Sequence, residues 1–136
     1  MKTIYKSAAM VIKDNTFLMV RKKGKDIWTN LGGKLEKGES NEQALFREIK
    51  EELSCDAKII KYLSDFENKA VFDDSIIHLS VYLVELIGEP KIDDVELEEF
   101  KFVSEADITN GLKLPPSITE NVLPFCIKSK LIDWKE

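Results

Sequence analysis

Residues 47 to 52 read Arg-Glu-Ile-Lys-Glu-Glu. Glu48, Glu51 and Glu52 stand three and four positions apart, so on a helix turning about 100° per residue they share one side. Like charges at these spacings destabilise a helix, and partial burial adds a larger desolvation cost. Something positive has to offset them. On an arbitrary helix Arg47, Lys50 and salt would suffice, and the three would form a solvated acidic face. The residues just upstream point elsewhere: Gly32 and Gly33 permit close backbone approach, Glu36 and Glu39 bring two more carboxylates to the helix entrance, and Lys34 and Lys37 bring counter-charges. Carboxylates converging on one loop and one helix edge suit a hard divalent cation, and Mg²⁺ takes a few carboxylates together with waters and substrate phosphates. The chemistry open to such a set is cleavage of a diphosphate bond.

The helix that must carry these glutamates has its own signals. Ser40 is a good N-cap with Gln43 three residues on, the capping-box arrangement, and Leu45, Ile49 and Leu53 form an apolar stripe. Upstream, residues 7–13 and 16–22 are apolar, strand-length runs separated by the turn pair Asp14-Asn15, which reads as a hairpin. Residues 24–40, rich in Gly and Lys, form a loop with a short extended piece around Trp28 and Leu31. Downstream, residues 57–67 and 75–86 read as two strands joined by a turn in Asn-Lys-Ala-Val-Phe-Asp-Asp, and residues 98–104 as another short strand. Residues 106–117 read as a loop or broken helix, and 118–132 as a terminal helix that Pro124 starts or kinks. Irregularly interspersed helices favour an α/β sandwich on a mixed sheet over a doubly wound parallel fold.

At 136 residues the chain fits one domain, taken as residues 1–136. A hydrophobic fraction of 43% with 33% charged residues is globular composition, without repeats or low-complexity stretches. A net charge of -5 argues against a nucleic-acid duplex as partner, since the basic run Arg21, Lys22, Lys23 and Lys25 is local and suits a small anion. No apolar run reaches the ~18 residues needed to span a bilayer, and the N-terminal stretch lacks signal-peptide features, so a cytoplasmic protein without membrane contact is expected. Cys55 and Cys126, far apart and among apolar neighbours, read as reduced core residues. His78, alone in a strand, reads as structural.

From Gly33 the chain runs Gly, five residues, Glu39, seven residues, Arg47, Glu48, Ile49, Lys50, Glu51, Glu52. This matches the signature of the Nudix hydrolases at all its charged positions, and the arrangement of strands around it resembles the MutT-like members over most of the chain. The signature normally closes with a glycine and an aliphatic residue, where this chain has Ser54 and Cys55. The resemblance implies a Nudix-type α/β/α sandwich. It implies that the Gly33 carbonyl and the carboxylates of Glu48, Glu51 and Glu52 hold Mg²⁺ or Mn²⁺, that Arg47 orients a carboxylate, and that Glu39 supports the cluster. The general base varies among members: Glu48 is the first choice here, Glu39 the alternative, with Lys34 offsetting charge on the phosphates. MutT-like enzymes often add a carboxylate from a later loop, and alignment on Phe102 puts Glu96 there with Glu99 close behind.

Substrate contacts follow by the same resemblance. Lys22 matches a basic residue that contacts phosphate or ribose, and the base would lie between the Trp28 to Leu31 segment and Leu-Pro-Pro-Ser-Ile-Thr-Glu-Asn, with Asn30 and Asn121 reading its edge. Trp28 is either a stacking platform or core. Marks of ADP-ribose and dinucleotide polyphosphate enzymes are absent around Ala70 to Phe72. The implied activity is hydrolysis of a (deoxy)nucleoside triphosphate, an oxidised purine such as 8-oxo-dGTP among the candidates, to monophosphate and pyrophosphate by a monomer or homodimer. The alternatives are ADP-ribose or dinucleotide polyphosphate hydrolysis, or a module that senses a nucleotide without cleaving it.

Overall fold

The computed structural model describes residues 2–70 and 74–134. Residues 71–73, the centre of the expected turn and part of the Ala70 to Phe72 neighbourhood, lie outside the described residues. Strand β1 (Lys2–Met10) is an inner strand, and its alternation buries it on both faces: Ala8 and Met10 enter one core, Ala9 and Val11 the other. It pairs parallel with β7 (Ser75–Ile87) and antiparallel with β5 (Leu31–Lys34), while β6 (Asp56–Lys69) lies antiparallel beyond β7. The resulting mixed sheet has the order β5-β1-β7-β6.

The expected hairpin is only partly realised. After Met10 the chain leaves the mixed sheet, and β2 (Ile12–Lys13) alone pairs with β3 (Thr16–Lys22) through the turn at Asp14 and Asn15. Both turn residues have positive φ, 49° and 62°, the backbone that Asp and Asn tolerate and that matches strand twist in a two-residue turn. β3 also pairs antiparallel with β4 (Trp28–Thr29) and β8 (Leu97–Val103), forming a second sheet. The change of sheet lets one chain segment serve both layers, which periodicity alone does not reveal.

Helix α1 (Asn41–Leu53) begins at the predicted capping box. The Gln43 amide donates to Ser40 Oγ at 3.1 Å and the Ser40 amide donates to Gln43 Oε1 at 2.9 Å. Leu45, Ile49 and Leu53 are fully buried against Ala9, Leu31, Tyr82 and Val84, and each side chain contributes about 2 kcal/mol through burial. The other core, around Trp28, Phe17 and Val81, is closed by a wide π-helical turn (Ser117–Val122) running into α3 (Leu123–Lys128). Pro124 sits in the first turn of α3, so the expected terminal helix is a π-to-α junction that ends at Lys128. The segment expected as loop or broken helix carries a short capped α2 (Glu105–Thr109). Helices on both faces of the mixed sheet give the expected α/β/α layering. Cys55 and Cys126 are unpaired and belong to different cores. Among the described residues no helix is long and apolar enough to cross a membrane.

Candidate active site

α1 lies against β5, the edge strand that carries Gly32 and Gly33, and this contact builds the site. Gly32 has φ 118°, and a Cβ there would meet the Ser7 carbonyl oxygen, so only glycine fits. At Gly33 a Cβ would stand 2.8 Å from Glu48 Cδ: the missing side chain is the space the Glu48 carboxylate occupies. One turn later, the Gly32 amide donates to Glu52 Oε1 at 2.9 Å.

The three glutamates grade from the core outward. Glu52 is only 8% exposed, Glu48 is half-buried and Glu51 is exposed. Burial drives the Glu52 carboxyl up to about 8; the Gly32 hydrogen bond opposes this, while Glu48 and Asp94 add to it. Burial likewise raises Glu48 above the ordinary carboxylate range, against the pull of Arg47.

Arg47 binds the cluster from the solvent side. Its Nε donates to Glu39 Oε2 at 2.7 Å and its Nη2 to Glu39 Oε1 at 3.0 Å, while Nη1 donates to Glu48 Oε1 at 2.8 Å and Nη2 to the Lys34 carbonyl at 3.1 Å. Glu51 lies 3.3 Å from Nη1 and Glu36 3.6 Å. The hydrogen bonds to Glu39 hold that carboxyl below its usual range, with the Glu36 amide assisting at 2.8 Å. Glu39 is thus a support for Arg47.

These residues fit a hard cation. The converging donors are all oxygens, Gly33 leaves room for the Glu48 carboxylate, and Glu52 is a buried carboxyl whose charge water does not solvate. In the structure Glu48 and Glu51 are engaged by Arg47 and Glu52 by Gly32, and no three acidic, His or Cys side chains among the described residues are grouped as ligands of one ion.

The later loop brings further carboxylates toward this end of α1 or into other contacts. Glu99 is committed to Arg21, whose Nη2 and Nε donate to its Oε1 at 2.7 and 3.0 Å, and Glu96 is exposed. The carboxylate that acts on both Glu48 and Glu52 is Asp94. Its loop is tied to the end of α1, where the Lys91 amide donates to the Leu53 carbonyl at 2.9 Å and the Asp93 amide to that of Glu52 at 3.5 Å. Asp94 also accepts from the Glu96 amide at 2.8 Å, an Asx turn that the run Asp93-Asp94-Val95-Glu96 could have signalled.

Lys22 lies close enough to act on Glu52, and Lys6, absent from the sequence expectations, is close to Lys22, Lys34 and Glu48. Trp28 is a core residue, 8% exposed, with the Arg21 guanidinium 5.7 Å from its ring centroid, so of the two expected roles the core one is what the structure displays. Asn30 Nδ2 and Asn121 Oδ1 are buried polar atoms without a hydrogen-bond partner, as is Nδ2 of Asn68 on β6. A groove of about 580 Å³ lies apart from the carboxylates, between Val11, Leu83, Leu86, Pro90 and Phe102.

The family model for the NUDIX domain matches residues 4–123. The chain is 33% identical over 88 residues to the CTP pyrophosphohydrolase of Escherichia coli (strain K12), covering 62% of this chain and 64% of that protein. It is 37% identical over 87 residues to the ADP-ribose pyrophosphatase of Bacillus subtilis (strain 168), covering 62% of this chain and 45% of that protein. The matches therefore span under two thirds of either relative. The solution structure of the E. coli ORF135 protein superposes with a TM-score of 0.76 at 28% identity, covering 96% of this chain and 94% of that one.

Proposed function

The chain belongs to the NUDIX family, and from that premise we propose that it is a divalent-metal-dependent pyrophosphohydrolase acting on a nucleoside triphosphate to give monophosphate and pyrophosphate. The observation that carries this reading is the seat of Glu48 and Glu52 against Gly33 and Gly32, with Arg47 joining Glu39 to Glu48.

Nudix hydrolases generally require divalent metal ions, and Gly33, Glu48, Glu51 and Glu52, with Asp94 as the later-loop carboxylate, are the proposed holders of Mg²⁺ or Mn²⁺. Bound there, the ion would screen phosphate charge and acidify a water. Glu48, half-buried and raised in pKa, is the proposed general base, because a carboxylate with reduced preference for its charged form accepts a proton at neutral pH. Arg47 and Glu39 are positioning residues that fix where Glu48 points. Lys22 and Lys34 bring positive charge for the phosphates. Asn30 and Asn121 each keep a polar atom free of protein partners, which supports the reading that they meet the base.

The likeness to a CTP pyrophosphohydrolase favours a triphosphate, and 8-oxo-dGTP stays within the same class; the likeness to an ADP-ribose pyrophosphatase makes ADP-ribose the second reading. A panel of (d)NTPs, 8-oxo-dGTP, ADP-ribose and dinucleotide polyphosphates, each with Mg²⁺ and Mn²⁺, tests it. Glu48→Gln is expected to lower turnover on the order of 10²- to 10⁴-fold. Equal turnover by wild type and variant would overturn the assignment, and tight nucleotide binding without turnover by wild type would instead mark a sensing module.

A further inference from the structure

Ala8 and Met10 of β1 enter the core closed by the π-helical turn and α3, whereas Ser7 faces α1, its Oγ donating to the Asn41 carbonyl at 2.8 Å. Strand alternation therefore puts Lys6 on the inward row with Ala8 and Met10. Its direct neighbour on β7 is the buried Leu79, and on β5 it is Lys34. An apolar residue is what the core requires at such a position, and like charges directly opposite on adjacent strands repel. Lys22, on β3 of the other sheet, is a third cation near enough to repel Lys6. Burial first, then Lys22 and Lys34, lowers the Lys6 pKa, and the nearby Glu48 opposes the shift. Among the described residues, no carboxylate forms an ion pair with Lys6, Lys22 or Lys34. The fold thus spends stability to gather three cations near the carboxylates without pairing any of them directly with one.

We propose that Lys6 is a phosphate-binding residue: with Lys22 and Lys34 it holds non-bridging oxygens of a polyphosphate chain beside the Gly32–Gly33 strand, from the face of β1 opposite the α1 side from which Glu48 and Glu52 approach. The proposal rests on the reading of the site as a polyphosphate site and adds to it a residue outside the signature. Lysine suits the task as a mobile point charge able to follow a chain of tetrahedral oxygens. Three ammoniums that repel one another in the free protein are relieved when a polyanion enters, so binding and stability are coupled.

The experiment uses inorganic tripolyphosphate in chelator, so that neither base nor metal contributes. Calorimetric titration is run on wild type, Lys6→Met, Lys6→Arg and Lys6→Thr, with melting temperatures taken first. Lys6→Met, and Lys6→Thr should the former not fold, is expected to weaken tripolyphosphate binding about tenfold and to melt no lower than wild type, while Lys6→Arg retains binding. On the preferred nucleotide, Lys6→Met is expected to raise KM about tenfold with kcat little changed. Tripolyphosphate binding that is absent in wild type, or unchanged in the variants, overturns the proposal. Lys6-dependent tripolyphosphate binding in a protein that turns over none of the nucleotide panel would overturn the proposed activity and leave the polyphosphate site standing.

Discussion

Arg47 and Glu39 meet in a two-point contact, Nε to Oε2 at 2.7 Å and Nη2 to Oε1 at 3.0 Å, and the same guanidinium holds Glu48 at 2.8 Å. Only a planar fork with donors in fixed directions can join two carboxylates and the Lys34 carbonyl at once. Arg47→Lys keeps the charge and loses the fork. Turnover is expected to fall about 10²-fold through misplacement of Glu48, with a stability loss of about 1–3 kcal/mol, read from kcat and from denaturant unfolding. A lysine variant with wild-type kcat would show that the fork does not position the base.

Two adjacent glycines should fail in different ways. A Cβ at Gly32 strikes the Ser7 backbone and the residue needs φ 118°, so Gly32→Ala is expected to prevent folding or cost several kcal/mol. A Cβ at Gly33 meets only the end of the Glu48 side chain, which can swing away. Gly33→Ala should therefore keep its circular dichroism spectrum and most of its melting temperature while losing turnover. Similar melting losses for both variants would contradict this contrast.

What the sequence revealed and what it hid divides along contact range. Glu48, Glu51, Glu52 and the capping box were legible because helical spacing and first-turn satisfaction are local. The Arg47 to Glu39 link was legible only through family resemblance, since it joins the helix to the loop before it. Lys6 was missed because its importance comes from strand pairing with Lys34 and from Lys22 on another sheet. Asp94 went unread, and the Arg21 to Glu99 pair with it, because loop tethers to α1 and a cross-strand ion pair are contacts between distant parts of the chain. The hairpin was read too simply because a change of sheet at Val11 leaves hydrophobic alternation unbroken.

Ser54 closes α1 in the left-handed region, φ 56° and ψ 31°, with its amide donating to the Lys50 carbonyl at 3.0 Å. The family signature has glycine here, and a Cβ in this conformation costs about 1 kcal/mol. Ser54→Gly is expected to raise stability by about 0.5–1 kcal/mol in urea unfolding, with kcat and KM unchanged. A lower midpoint would mean that loss of unfolded-state restriction outweighs relief of the cap.

His78 is flanked at both ring nitrogens by carboxylates of β6, Asp65 at 2.6 Å and Glu67 at 2.9 Å, with Tyr5 of β1 at a ring distance of 5.5 Å and Tyr62 donating to Asp65. Only the imidazolium can donate to both, and hydrogen bonds to Glu67 first and Asp65 second raise its pKa above the ordinary 6.5. A raised cation pKa gives stability that is complete below pH 6.5 and is lost as pH rises through the folded-state value. The margin of wild type over His78→Gln should therefore be largest below pH 6.5, at most about 1 kcal/mol for this partly exposed cluster, and should shrink toward pH 9. An NMR midpoint for His78 at or below 6.5 would refute the clamp.

Glu52 carries the opposite kind of pH dependence. Its carboxyl is pushed up to about 8 from 4.5, chiefly by burial, so in metal-free protein the folded state binds a proton that the unfolded chain has released. Stability then falls as pH rises from 4.5 to 8 and levels off above, by an amount on the order of a few kcal/mol. Glutamine keeps an oxygen to accept from the Gly32 amide, now at 2.9 Å, and cannot ionise. In chelator, Glu52→Gln and wild type should melt together near pH 5 and separate by pH 9, with the variant the more stable. The repulsion among Glu48, Glu52 and Asp94 is thus largely silenced by protonation in acid and reappears in base, where a bound cation would relieve it. Parallel melting curves for the two proteins across that range would show that Glu52 is already solvated as an anion and that no such strain is stored.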